Sequence, residues 1–302
     1  INIEHKMNQK KRSLKIYILT KFRSREIFFN LRPLIKLKSN KYKIIFKSDI
    51  DCIAKIKNSI IVIVNLNIDV EILMFLRVNY NKLVFFDLRD SSKLRYAYVL
   101  DYVDLYYTNL KINDGYDKKH YLYSEYEIYQ KKLQKSDSIG LEIESKIIPI
   151  WNLEYGLYPQ KLYLNKLGTL ISKIFNSPKI GLFTVELLYT LFNIKLRKRK
   201  QFKKLSQIHA VFKVHKNNSQ RNYLYNQTKN DPNYFTTRIK RNQFYKLMTK
   251  TKYVISPFGM GEICYRDYET ILSKNLLVKP TMNRFKLFNP FFIDHKTFIP
   301  TS

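Results

Sequence analysis

Cysteine, glycine, alanine and tryptophan are all scarce in this chain of 302 residues. The two cysteines, Cys52 and Cys264, supply neither a disulfide framework nor a closely spaced metal-binding pair. Their reduced state is the natural expectation, and with it a cytoplasmic compartment, including the cytoplasmic face of a membrane. Long apolar runs are missing too. The most apolar stretch, Ile60–Val78, is interrupted by Asn65, Asn67, Asp69, Glu71 and Arg77, so no membrane span fits it. The first twelve residues are polar and basic, without the apolar core of a signal peptide. The chain opens on Ile1, from which a missing natural N-terminus is expected. No internal repeat and no low-complexity tract interrupts the rest.

Acidic residues are the other shortage. Lys and Arg number 55 against 24 Asp and Glu, a formal charge of +31. Two sources produce such an excess. An A/T-rich coding sequence favours Lys, Asn, Ile and Tyr over Ala and Gly, and alanine occurs only at Ala54, Ala97 and Ala210. The alternative is attraction to an anionic partner: a nucleotide diphosphate, an anionic lipid surface or a nucleic acid. Hydrophobic residues make up 45% of the chain, enough for packed cores and unlike a disordered sequence.

The first half alternates short apolar runs with helical patterns. Leu14–Thr20, Lys43–Phe46, Ser59–Asn65, Lys82–Phe86 and Tyr102–Tyr107 read as strands, with helices expected around Arg25–Leu37 and Val70–Val78. The β-branched run in Ser59–Asn65 suits a strand buried on both faces of a parallel sheet. Between Ser145 and Pro178 the pattern loosens around Pro149, Gly156 and Pro159, which suggests a passage between two domains, 1–155 and 156–302. Strands at Ile208–Val214, Tyr253–Ser256 and Leu276–Lys279 and helices at Arg241–Thr249 and Cys264–Ser273 then resume the rhythm. The expected class is α/β with two Rossmann-like domains. The basic run Lys195–Lys204 reads as a solvated face or an anion site.

The stretch with the most chemistry is Tyr253–Pro280: strand, Pro/Gly turn, helix, strand. In an open α/β sheet ligands bind where loops leave the C-terminal ends of strands. Pro257 ends the strand here, Gly259 and Gly261 allow close backbone approach, and the following helix N-terminus suits a phosphate. At 100° per residue, Cys264, Tyr268, Ile271 and Leu272 share the face expected to pack on the sheet. Arg266, Glu269, Thr270 and Ser273 share the other. Arg266 is placed to grip a diphosphate and Glu269 to accept from ribose hydroxyls. The bland alternative is an i,i+3 ion pair between the two.

The pattern formed by Ser256, Pro257, Gly259, Gly261, Glu262, Arg266, Asp267 and Glu269, with Pro280 after an apolar strand, resembles the donor-binding signature of GT-B glycosyltransferases. The exostosin-like and family-90-like groups carry it in the most similar form. The resemblance is specific over about Lys213–Pro280, and FFDLRDSS, YVDLYYTN and IPIWNLEYG echo it upstream. It implies a nucleotide-sugar donor bound by the C-terminal domain through Ser256, Gly259, Gly261 and Glu262. Arg266 would hold the diphosphate, Glu269 the ribose, and Arg221 would be a second phosphate ligand. It further implies a glycan or lipid-linked acceptor entering from the N-terminal domain, peripheral contact with an anionic membrane, no cofactor and no metal. The paired glutamates of retaining members stand one position further apart than Glu262 and Glu269, which leaves the stereochemistry open. The family continues beyond the last strand seen here, so a C-terminal truncation of the second domain is expected.

A base for the acceptor hydroxyl would come from Asp87 or Asp90, at the end of a strand, with Asp101 and Asp104 as alternatives. His209 and His215 flank a donor-domain strand and read as structural. No sequence-specific nucleic-acid motif appears. A non-enzymatic binding protein for nucleic acid or glycan on a degenerate glycosyltransferase fold is the competing reading.

Overall fold

A computed structural model describes residues 13–20, 31–39, 41–48, 51, 59–64, 68–88, 96–113, 138–150, 162–191, 208–211, 219–237, 239–248, 250–258, 262–287 and 292–301. The chain is α/β. In order, its elements are β1 (Leu14–Leu19), α1 (Arg32–Lys36), β2 (Tyr42–Lys47), β3 (Ile60–Val64), α2 (Val70–Asn79), β4 (Lys82–Asp87), β5 (Leu105–Thr108) and β6 (Lys111–Ile112). They are followed by α3 (Ser138–Lys146), β7 (Ile147–Pro149), α4 (Leu162–Ile174), α5 (Pro178–Leu191), β8 (Ile208–His209), α6 (Ser219–Thr228) and β9 (Tyr234–Phe235). The last are α7 (Arg241–Met248), β10 (Tyr253–Ile255), α8 (Tyr265–Leu272), β11 (Leu276–Pro280), β12 (Phe285–Lys286) and β13 (Ile299–Thr301).

Two mostly parallel sheets result. The first runs β2-β1-β3-β4-β5-β7, with β1, β2, β3 and β4 parallel. Its central strands are β-branched or aromatic and buried on both faces, because helices and connections cover each side. Ile18, Ile61, Ile63, Leu83 and Phe85 are sealed from solvent, and Phe85 stacks on Tyr106 at 5.3 Å. The second sheet runs β13-β11-β10-β8-β9 and every pairing in it is parallel. Numbered by their own chain order, both sheets begin 2-1-3-4-5. That order reverses direction beside its first strand, and the reversal opens a crevice at the C-terminal strand ends, where ligands of doubly wound folds bind.

By packing, the chain divides into two compact units: Ile1–Phe86, Tyr98–Tyr106 and Lys161–Glu186 form one, and Asp87–Ala97, Tyr107–Gln160 and Leu187–Ser302 the other. The division crosses the chain several times instead of once near residue 155. Leu110 belongs with the second unit because it packs in the core of Ile263, Leu277, Met282, Phe285, Phe292 and Phe298. The antiparallel pair β6–β12 and the bond from Asn113 Nδ2 to the Asn283 carbonyl (2.6 Å) fasten the same segment.

The expected loosening over Ser145–Pro178 is corrected in its second half. There the chain forms the helical hairpin α4–α5, in which Gly168 and Gly181 serve close packing. A Cβ on Gly168 would strike Val185, and one on Gly181 would strike Ser172 and the Gly168 carbonyl. Asn176 turns the hairpin at φ 45°, a left-handed conformation asparagine tolerates. Of the helix expected over Arg25–Leu37, only Arg32–Lys36 is helical among the described residues. Of the strand expected over Ile208–Val214, residues 208–211 are described, and only Ile208–His209 is strand. The run Lys195–Lys204 lies outside the described residues.

Candidate anion site at the switch point of the second sheet

The crevice of the second sheet opens between β8 and β10, where Val254 pairs with His209. α6 follows β8, and α8 follows β10. Side chains from all of these meet there.

α8 is anchored first. Asp267, at the third helical position, is fully buried and accepts the Cys264 N–H at 3.1 Å, the acidic half of a capping box. Its carboxylate also accepts Ser256 Oγ and the Cys264 thiol, and pairs with Lys279 Nζ at 2.8 Å. Lys279 is equally buried. It donates to the Glu262 carbonyl at 2.8 Å and lies 4.6 Å from the Phe292 ring centroid and 5.5 Å from that of Phe258. A buried ammonium in this setting is tolerable because each donor direction meets an anion, a carbonyl or a ring face. Sequence reading passed over Lys279. Its signal was a lysine at the close of an otherwise apolar strand run.

This anchoring corrects the expected helix faces. Thr270 (0% exposed) and Ser273 (6%) turn inward with Asp267, because hydrogen bonds to Arg266 O and Glu269 O satisfy their hydroxyls. Tyr268 and Ile271, expected to face the sheet, do pack inward, against the cluster that includes Leu277 of β11, Phe285, Phe292 and Phe298. Burial, with Asp267 and Cys264 adding, pushes the Tyr268 phenol well above its usual range, and the Cys264 thiol is raised chiefly by burial. Ser256 is 1% exposed and its hydroxyl is committed to Asp267, so it supports the loop from within. Glu262 is buried, with its carbonyl on Lys279. Gly259 and Gly261 lie outside the described residues.

Arg266 and Arg221 do come together. The backbone of Phe258 is clasped by α6: its N–H donates to Gln220 Oε1 at 3.0 Å, and its carbonyl accepts Arg221 Nε at 2.9 Å. Burial lowers the Arg221 pKa and the charge of Arg266 lowers it further, while Cys264 and Asp267 oppose the shift. Arg266 Nε and Nη1 are buried and find no hydrogen-bond partner among the described residues. The alternative of an Arg266–Glu269 ion pair is therefore not what forms. Glu269 Oε1 accepts the Tyr245 hydroxyl at 2.6 Å instead. Two guanidiniums crowd one crevice, one with buried N–H groups unsatisfied, and an unsatisfied buried charged donor is costly. A multivalent anion at this point would remove both penalties.

His209 completes the floor. It is fully buried on β8 against Phe244 (5.0 Å), and neither ring nitrogen has a hydrogen-bond partner among the described residues. Burial, and then Arg266, depress its pKa to about 3, so the ring is neutral at physiological pH. His215 lies outside the described residues.

The aspartates considered as bases are differently placed. Asp87 ends β4 and is 1% exposed. Asp104 is committed, accepting Leu83 N–H and Arg77 Nη1, each at 2.8 Å. Asp101 is exposed at the end of a short 3-10 helix (Ala97–Asp101), and Asp90 lies outside the described residues. Among the described residues no three His, Cys, Asp or Glu side chains gather as metal ligands would, and no helix is long and apolar enough to cross a membrane.

Compared with protein-family models, with curated proteins and with solved structures, the chain gives no match.

Proposed function

We propose that the chain is a glycosyltransferase of the GT-B kind, whose second unit holds the diphosphate of a nucleotide sugar at Arg266 with Arg221 beside it. The observation that carries this reading is Arg266, whose buried Nε and Nη1 have no hydrogen-bond partner among the described residues, at the switch point of a parallel sheet and next to a second arginine. Planar guanidiniums match phosphate oxygens in bidentate geometry, which a lysine cannot reproduce. Glu269, its carboxylate steadied by Tyr245, takes the ribose in this reading. In transfer, the arginines would stabilise the charge that grows on the leaving diphosphate. The acceptor in this reading is a glycan or a lipid-linked acceptor.

Thermal-shift titration with UDP, GDP, ADP, CMP and their sugars tests it. At about 100 times Kd, a ligand stabilises the fold by about 2.7 kcal/mol. Removing Arg266 costs charge-assisted bonds of about 1.5–3 kcal/mol, a Kd about 10- to 100-fold weaker. The expected result is a shift with one nucleotide that Arg266→Ala cuts from about 2.7 to about 0.4–1.4 kcal/mol and Arg266→Lys cuts less. No shift with any of them, in a folded protein, would refute the site. Binding without release of nucleoside diphosphate from the sugar donor would favour a non-catalytic nucleotide-binding module.

A further inference from the structure

The hairpin α4–α5 is apolar on both its inner and its outer sides. Its seam holds the buried Gly168, Thr169, Ser172 and Gly181, with Leu182 and Val185 the large apolar residues of α5 buried beside them. Its outer surface carries large apolar side chains as well: Leu167 (39% exposed), Leu170 (53%), Ile174 (67%), Phe175 (61%), Ile180 (42%) and Phe183 (66%). The spacings 167-170-174 and 180-183 put these residues on one outward stripe of each helix. The outer face of a water-exposed helix is polar instead. Two of its hydroxyls are satisfied within their own helices, Ser172 Oγ on the Gly168 carbonyl at 2.8 Å and Thr184 Oγ1 on Ile180 O at 2.9 Å. They therefore ask nothing of water.

Charge identifies what covers this surface. Lys166, Lys173 and Lys179 are exposed and border the two stripes. The acid on the described hairpin surface, Glu186, is turned to Arg32 and Lys36. An apolar face edged by lysines without opposing acid is complementary to anionic headgroups over acyl chains: the stripes enter the interface while the lysine stems snorkel to the phosphates. A second copy of the same face would set lysines against lysines. At 13 and 14 residues the helices are about 20 Å long, too short to span the hydrocarbon and suited to lying within its boundary.

We propose that the α4–α5 hairpin docks the protein onto an anionic membrane surface. This inference does not depend on the nucleotide reading.

The test is co-sedimentation of the full chain with phosphatidylcholine vesicles, with and without about one third phosphatidylglycerol, at about 0.15 M salt. Charge alone draws so basic a protein to such vesicles, so the deciding variant leaves charge untouched. Leu170→Ser/Phe183→Ser should weaken partition onto the anionic vesicles at least about tenfold. Met74→Ser/Val78→Ser, changing exposed apolar residues of α2, should leave it unchanged. A Phe183→Trp probe, placed in a Trp151→Phe background so that it is the sole indole, should shift its emission to the blue on binding. Three results would overturn the proposal. They are no binding of the parent chain, equal binding of parent and Leu170→Ser/Phe183→Ser with no blue shift of the probe, or a dimer abolished by those serines in a chain that ignores vesicles. Circular dichroism of each variant confirms that its helices persist.

Discussion

Replacing Lys279 with Met while keeping Asp267 would strand a carboxylate with no exposure to water. Removing one partner of a buried pair typically costs about 3–5 kcal/mol. Asp267 keeps Ser256 Oγ and the Cys264 N–H, which soften the loss, while the Glu262 carbonyl loses its donor, at about 1 kcal/mol. We expect Lys279→Met to cost about 3–5 kcal/mol. Asp267→Leu strands the ammonium and also uncaps α8, so it should cost about 4–6 kcal/mol. With Asp267→Leu/Lys279→Met no charge is stranded. What remains is the lost cap at the Cys264 N–H, with the Glu262 carbonyl and the Ser256 hydroxyl stripped of their partners, about 2–3 kcal/mol in all. The double variant should therefore be more stable than either single one, with a coupling of several kcal/mol. Urea unfolding followed by circular dichroism, reading midpoint and slope, measures all three. Single variants that each cost under about 1 kcal/mol, or a double variant equal to their sum, would refute the argument that the pair is dry and mutually dependent.

His209 stays neutral in the folded chain down to about pH 3, whereas an unfolded histidine takes its proton near 6.5. Between those values the unfolded chain binds more protons, so stability falls as pH drops through that window, by about 2–3 kcal/mol from about pH 6.5 to about 4.5. His209→Leu should flatten that slope in urea titrations, and an unchanged slope would disprove the assignment. Gly181→Ala would help an isolated helix, yet here the added methyl meets the Gly168 backbone carbonyl. A loss of about 1–3 kcal/mol is expected on thermal unfolding, and a gain would show that the helices are not in contact. Asp104→Ala orphans the Leu83 N–H and should cost about 1–2 kcal/mol on urea unfolding. Asp104→Asn, which keeps an acceptor, should cost less, because the half-exposed Arg77 contributes little.

Local pattern carried the strands and the helices between them. The run IIVIV reads as a strand buried on both faces, and YVIS, the helix after it and LLVKP lie where their periodicity placed them. Type and span are legible in such runs because β-branched crowding and apolar period act over a few residues. Arg266 was legible as well, as a charged residue in the first turn of a helix after a Pro/Gly loop.

Tertiary structure decided the rest. The helix faces of α8 were misread because a 100° wheel assumes that apolar side chains turn inward. Here Lys279, arriving from β11, pulls Asp267 into the core and takes Thr270 and Ser273 with it. Glu269 was legible as an acid but not as the partner of Tyr245, which comes from another helix. The hairpin α4–α5 was not legible beyond the breaks at Pro149, Gly156 and Pro159, because a seam of Gly168 and Gly181 gains its meaning only when a second helix lies against it. The strand order that puts His209, Arg221 and Arg266 around one crevice is set by nonlocal pairing, β8 beside β10 with β9 outside, and no window of sequence contains that pairing. Sequence alone thus determined which segments fold and which side chains carry charge, since both are local properties. Which charges meet, and which are left without a partner, depended on contacts between segments far apart in the chain.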